Sequence, residues 1–195
     1  MIRHARRLWG RIWLKGVQYS GRYDRLDWLY LFKDPWELAN PLEAQRFSAT
    51  NALLSEVAPD CASLLEVGCG EGAQTQWLQQ VCTSVTGIDV SERAIARARV
   101  AMPETRFAVV RAEDAERHFS GERFDCAVLC EVLYYAADPA AVLAAMQQLT
   151  GRIVVTVFAP RLARLEHLFA APGWRECAPI TAGDTRWACY FWQRP

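Results

Sequence analysis

The chain has 195 residues, 52% hydrophobic and 23% charged, with 22 basic and 22 acidic side chains and a formal net charge of zero. That length can bury most of its apolar surface in one core, and the neutral balance gives no global attraction to nucleic acid. Seven cysteines, an odd count without C-x-x-C, and three scattered histidines (His4, His118, His167) exclude a disulfide framework and a zinc site as expectations.

In chain order, the first 25 residues carry Arg3, Arg6, Arg7, Arg11, Lys15, Arg22 and Arg25 against one acid, Asp24. The remainder is net acidic by the same margin. Trp9 and Trp13 share a helical face, so this basic arm suits contact with an anionic surface or membrane interface. It lacks the unbroken apolar core of a signal peptide, and no run approaches the roughly 20 apolar residues needed to span a bilayer. The expectation is a cytoplasmic protein with one domain over 1–195: an arm or lid at 1–40 and a core at 41–195.

Leu26, Leu29 and Tyr30, with Lys33 at the edge, predict a helix. Pro35 marks a turn and pushes Asp34 away from helix. Asn40-Pro41 starts the next helix, a capping side chain followed by Pro at the first helical position, and its apolar stripe runs to Val57. From Ser63 strands and helices alternate. Leu64–Val67 is strand one, a helix follows over about 72–81, and strand two ends at Asp89. Ser91 caps a helix over Glu92–Val100. Arg106–Val110 is strand three, Asp114–Phe119 a short helical piece, and Phe124–Cys130 a buried strand four. Asp138-Pro139 opens a helix to Leu149, and Arg152–Phe158 is strand five. A helix over 161–170 and a hairpin of 174–178 with 186–193 complete the chain. This pattern means a Rossmann-like α/β fold: a mainly parallel seven-stranded sheet with an antiparallel C-terminal hairpin strand and helices on both faces.

In such a sheet a ligand sits beyond the carboxyl ends of the strands, at the switch point. After strand one stands Glu66-Val67-Gly68-Cys69-Gly70-Glu71-Gly72, where Gly68, Gly70 and Gly72 let backbone approach a ligand that a Cβ would obstruct. Asp89 lies 21 residues after Gly68, where a carboxylate takes both ribose hydroxyls of a nucleotide, and Val90 is placed to pack on a base. After strand three come Glu113, Asp114 and Ala115. After strand four come Glu131, Tyr134 and Tyr135.

The E-x-G-x-G-x-G turn with Asp89 resembles the S-adenosylmethionine (SAM) site of class I methyltransferases. That resemblance implies that Glu66 holds the methionine end of SAM, and that an acid after strand three meets the adenine amino group. Asp114, beside Ala115, fits best; Glu113 is the neighbouring alternative. Asp34-Pro35-Trp36, Asn40-Pro41-Leu42-Glu43-x-x-Arg46 and Glu131-Val132-Leu133-Tyr134-Tyr135 resemble, more narrowly, the NodS-like methyltransferases, over roughly residues 34–158. The namesake N-methylates a deacetylated glucosamine unit of a chito-oligosaccharide. This implies that Arg46 meets the SAM carboxylate, that Trp36 is part of a lid, and that the position after strand four faces the methyl group. The basic, tryptophan-rich first 30 residues have no counterpart in that pattern.

The expected function is SAM-dependent methylation of a small-molecule or glycan acceptor, foremost an amine. Glu131 would hold the acceptor and draw off its proton, Tyr134 would orient it or contact the sulfonium through its ring, and Trp36 and Tyr135 would line its site. Oxygen as the acceptor atom, a non-catalytic SAM-binding module and an NAD-dependent dehydrogenase are the alternatives. DNA methylation is not expected: Cys130-Glu131-Val132-Leu133 stands where an Asn/Asp-Pro-Pro-Tyr motif would, and there is no Pro-Cys dipeptide.

Overall fold

The computed structural model describes residues 16–195. The expected helical face of Trp9 and Trp13, and the basic residues up to Lys15, lie outside the described residues. The elements run α1 (Tyr23–Leu29), α2 (Pro41–Val57), β1 (Ser63–Val67), α3 (Thr75–Leu78), β2 (Ser84–Asp89), α4 (Glu92–Ala101), β3 (Arg106–Val109), α5 (Ala115–His118), β4 (Cys126–Cys130), α6 (Pro139–Leu149), β5 (Arg152–Phe158), β6 (Trp174–Ala182) and β7 (Thr185–Gln193). The strands form one sheet in the order β3-β2-β1-β4-β5-β7-β6. β7 runs antiparallel to both its neighbours, and the other sheet pairings are parallel. Among the described residues no helix is long and apolar enough to cross a membrane.

The period-two alternation of the strands builds two cores. Leu65, Val67, Ala127, Leu129, Ile153 and Val155 point to one face and pack with Val142, Met146 and Leu149 of α6. Leu64, Val85, Cys126, Val128 and Val154 point to the other and pack with Leu53 and Leu54 of α2 and Leu78 of α3. Apolar residues on both faces require helices on both faces. The central strands are thereby fixed in register, with their carboxyl ends aligned along one rim.

Three caps stand where the sequence places them. Asn40 accepts from the N–H groups of Leu42 and Glu43 with Pro41 behind it, Ser91 accepts from Ala94, and Asp138 accepts from Ala141. Other expectations need correction. The helix expected over 72–81 shrinks to α3: Gly72, at φ +86°, cannot be helical, and the bonds Trp77 to Gln74 and Gln80 to Trp77 have three-residue spacing. The helix expected over 161–170 is two 3₁₀ runs, Ala159–Arg164 and Glu166–Ala170, for the same reason. The first helix begins and ends earlier, so Lys33 lies outside it. Asp34 is left-handed at φ +48°, and its carboxylate accepts from the N–H groups of Leu38 and Ala39. The hairpin strands are longer than expected. Gly183, at φ +54°, is the first of two loop residues, where a type II′ turn requires positive φ.

Candidate active site

Connections from β1 lead first toward β3 and later, from β4, toward β5, so the crevice lies where the carboxyl ends of β1 and β4 part. A cavity of about 380 Å³ opens there, within the size range of small-molecule sites. Its floor is the glycine turn. Gly68 has φ +74°, and a Cβ on it would meet Val132 at 2.7 Å; Gly70 has φ +55°, and a Cβ would meet the Tyr30 hydroxyl at 2.7 Å. Both positions need glycine on two counts, conformation and space.

Asp89 ends β2, buried beside this turn. One oxygen accepts from the Gly70 N–H at 2.9 Å and the other from the Ser91 N–H at 2.9 Å. Burial pushes its carboxyl above the ordinary value, and these backbone donors oppose the rise. Each oxygen keeps a lone pair for a further donor. Glu66 is buried deeper and accepts from the Thr75 hydroxyl. Burial pushes it up to about 8, with Asp89 adding to the rise and Thr75 and Arg46 opposing it. Arg46 reaches the same space from α2 and is also buried. It pairs with Glu43 at 2.7 Å, donates to Gln74 at 3.3 Å, and lies 4.7 Å from the centroid of Phe47.

The Glu66 shift has a consequence for stability. The folded protein retains a proton there that the unfolded chain has released, so Glu66 costs nothing below the ordinary glutamate range and lowers stability as pH rises toward about 8. Glu66→Gln removes that penalty. The thermal midpoints of the variant and the parent should coincide near pH 4, and the variant should unfold at the higher temperature at pH 8. A parent that is equally or more stable than the variant at pH 8 would refute the shift.

Glu131 follows β4 at φ +62°, a conformation rare for a residue with a side chain. It is one of the places where backbone strain accompanies a site. Its carboxylate is held from two sides: the Tyr134 hydroxyl donates to one oxygen at 2.8 Å and the Phe158 N–H to the other at 2.6 Å. Burial pushes the Glu131 carboxyl up, and these donors, together with Arg46, oppose the rise. Burial and the neighbouring Glu131 raise the Tyr134 phenol, which stays protonated. Tyr135 packs beside Tyr134, ring centroids 4.8 Å apart, and beside Trp36 at 5.7 Å.

The segment before α2 covers the opening. Leu26 and Leu29 are buried with Val17 in a small core that includes Tyr23, Trp36, Val90 and Tyr135. The Trp36 indole donates to the Tyr30 hydroxyl at 2.9 Å. Arg97 fastens the segment from α4: it donates to the carbonyls of Tyr30 and Phe32 and pairs with Glu71, which in turn accepts from the Asp34 N–H.

Most of the residues singled out in the sequence meet in this cavity: Trp36, Arg46, Glu66, Gly68, Gly70, Asp89, Val90, Glu131, Tyr134 and Tyr135 line it. Three do not. Gly72 faces Met102, where a Cβ would come within 2.1 Å, so it serves the packing of the turn. Ala115 is buried in the core under α6. Asp114 turns outward to Arg117 at 3.0 Å. Glu113, its neighbour, is bonded by the Tyr23 hydroxyl, and its Oε2 is buried without a hydrogen-bond partner. Residues 112–114 form a 3₁₀ turn, which rotates successive side chains by about a third of a circle, so Glu113 and Asp114 point in different directions. Tyr23, Tyr30, Glu43, Phe47, Gln74, Phe158, Thr185 and Trp187 also line the cavity and were not singled out in the sequence. Only Glu43 carried a signal, its i, i+3 spacing from Arg46. Among the described residues no cluster of His, Cys, Asp and Glu is arranged to hold a metal ion.

Comparison with known proteins gives this geometry a family. The profile described as Nodulation protein S (NodS) matches residues 22–158, more than half of the chain. The chain belongs to the NodS family. It is 38% identical to the Nodulation protein S of Sinorhizobium fredii over 122 residues, covering 62% of this chain and 56% of that protein. It is 37% identical to that of Rhizobium tropici over 140 residues, covering 71% and 57%. The chain thus spans a little over half the length of these curated relatives. The crystal structure of N-methyltransferase NodS from Bradyrhizobium japonicum WM9 in complex with S-adenosyl-L-homocysteine superposes with a TM-score of 0.74 at 25% identity, covering 90% of this chain and all of that one. Magnesium protoporphyrin IX methyltransferase from Synechocystis superposes at 0.63 with 17% identity, covering 91% and 94%, a likeness of fold alone. The fold is the Rossmann-like fold of the class I methyltransferases. The NodS match ends at Phe158, so the hairpin of β6 and β7 lies beyond it.

Proposed function

We propose that this NodS-family chain binds SAM in the cavity and methylates an amine on a small molecule or glycan, an amino sugar being the favoured class. One observation carries the reading: among the described residues, the carboxyl groups of Glu43, Asp89 and Glu131 line the cavity against a single cation, Arg46, with Glu66 beside them held protonated by burial. An acid-lined, partly enclosed site favours cationic ligands, and SAM (a sulfonium) and an amine are both of that kind. The same lining opposes NAD, whose pyrophosphate is anionic.

The residues present fit SAM. Asp89 has lone pairs for two ribose hydroxyls, and Gly68 and Gly70 leave backbone where side chains would intrude. Glu66 and Arg46 face the amino-acid end, and Val90 and Ala112 offer apolar walls for the base. Glu113 does not itself line the cavity, but its buried Oε2 has no hydrogen-bond partner and it follows the lining Ala112, so we assign it the adenine amino group in place of Asp114, which pairs with Arg117. When bound, SAM supplies a methyl group already activated on sulfur. The protein's remaining work is to orient the acceptor, remove its proton and exclude water. Glu131 accepts a hydrogen bond from the acceptor ammonium and takes its proton at a carboxylate oxygen, leaving the nitrogen lone pair free. Tyr134 fixes that carboxylate through its hydroxyl, and the rings of Tyr135 and Trp36 hold the acceptor in place.

Calorimetric titration of the protein with SAM and, separately, with NAD tests the cofactor assignment. Saturable binding of SAM alone is expected; binding of NAD in preference to SAM would refute it.

A further inference from the structure

The acceptor end of the cavity is closed by the C-terminal hairpin, outside the span that the family profile matches. Trp187 of β7 stands directly opposite Phe158 of β5 in the antiparallel register. Phe158 is the residue whose N–H donates to Glu131 at 2.6 Å. Trp187 is 4% exposed, lines the cavity with Thr185, and has its ring centroid 5.8 Å from the Arg46 guanidinium. A buried indole N–H needs an acceptor. Glu131 lines the same cavity as Trp187, and Trp187 is among the groups that hold its carboxyl down against the rise from burial.

From this juxtaposition we infer that Trp187 is a positioning residue: its indole N–H holds the Glu131 carboxylate from the hairpin side. Three donors, from the 3₁₀ turn after β4 (Tyr134), from β5 (Phe158) and from β7 (Trp187), then converge on one carboxylate. Each donor fixes a direction. With all three in place the carboxylate cannot swing toward Arg46 to form an ion pair, and its free lone pairs face the cavity. The left-handed backbone at Glu131 follows from the same demand, because it turns the side chain back across the ends of β5 and β7. The hairpin therefore sets the aim of the base as well as closing the sheet, and differences in β7 between relatives would retune acceptor choice without touching the cofactor end.

The inference rests on the proposed role of Glu131, and the experiment separates the two. The full-length protein, ¹⁵N-labelled and saturated with S-adenosyl-L-homocysteine, is titrated by NMR, with the Trp187 indole resonance assigned by its loss in Trp187→Phe. That resonance is expected to move with pH along a single titration curve and to become pH-independent in Glu131→Gln. In turnover of a partly de-N-acetylated chito-oligosaccharide, Trp187→Phe should lower kcat roughly tenfold, the loss of one hydrogen bond to a charged acceptor. It should also move the acid limb of the pH profile upward, because a donor that favours the anion is gone. A merely structural tryptophan would leave the limb in place. A Trp187 indole signal indifferent to both pH and Glu131→Gln would overturn the inference. An indole signal that titrates in a protein inactive on the amine would uphold the pairing and defeat the functional reading instead.

Discussion

Glu131→Gln is expected to lower kcat on an amine acceptor by about 10²- to 10⁴-fold, the range for loss of a positioned general base, while SAM affinity changes little. The amide can keep both contacts, its oxygen accepting from the Phe158 N–H and its NH₂ donating to the Tyr134 hydroxyl oxygen, so the substitution removes the proton acceptor and leaves the side chain in place. The variant therefore loses the proton acceptor while its geometry is kept. In the parent, burial raises the Glu131 carboxyl above the ordinary glutamate range. The rate should accordingly fall as pH drops through that raised value, because a protonated carboxyl cannot take the acceptor's proton. Steady-state kinetics across pH, with a parallel SAM titration, checks both statements. A variant that binds SAM and turns over at the parental rate would remove Glu131 from the mechanism.

Asp89→Ala should act at the other end of the cavity and leave almost no measurable SAM binding. Two charge-assisted hydrogen bonds to a ribose, at about 1.5–3 kcal/mol each, correspond to roughly 10²- to 10⁴-fold in Kd. The same substitution strips the acceptor from the Gly70 and Ser91 N–H groups, both buried. Each orphaned donor costs about 1–3 kcal/mol, so the thermal midpoint should drop as well. Asp89→Asn separates the effects. Its single carbonyl can still serve one backbone N–H, so stability should recover in part while SAM affinity stays low. Calorimetry alongside thermal unfolding reads both. Affinity recovering together with stability in the Asn variant would show that Asp89 only shapes the turn.

The sheet was legible because its signals are local and redundant. Apolar strand runs, caps at Asn40, Ser91 and Asp138, and glycines at Gly68 and Gly70 all act within a few residues of where they stand. The cavity rim was legible for the same reason: strand ends converge in this fold, so Glu66, Asp89 and Glu131 had to meet. What escaped depends on rotation or on distant register. That Asp114 turns out to Arg117 while Glu113 meets Tyr23 is decided by a 3₁₀ turn, which the composition of 112–114 does not announce. Gly72 looked like its companions yet packs against Met102, a contact made by a helix some thirty residues away. Trp187 enters the cavity only because β7 pairs Trp187 with Phe158, and a one-residue slip would have turned it to the other face. Tyr23 and Tyr30 lie over the site because Arg97 and Glu71 fasten their segment, a pairing across more than 60 residues for Arg97 and the Tyr30 carbonyl.

Methyl transfer itself is the most direct test. The protein, supplied with SAM carrying an isotopic label on the methyl group, is incubated with partly de-N-acetylated chito-oligosaccharides, with fully N-acetylated ones, and with a panel of small primary amines. The account predicts label on nitrogen in acceptors that carry a free amine, and none in the fully acetylated oligomers. Saturable SAM binding with no label on any amine, or label found only on oxygen, would contradict it.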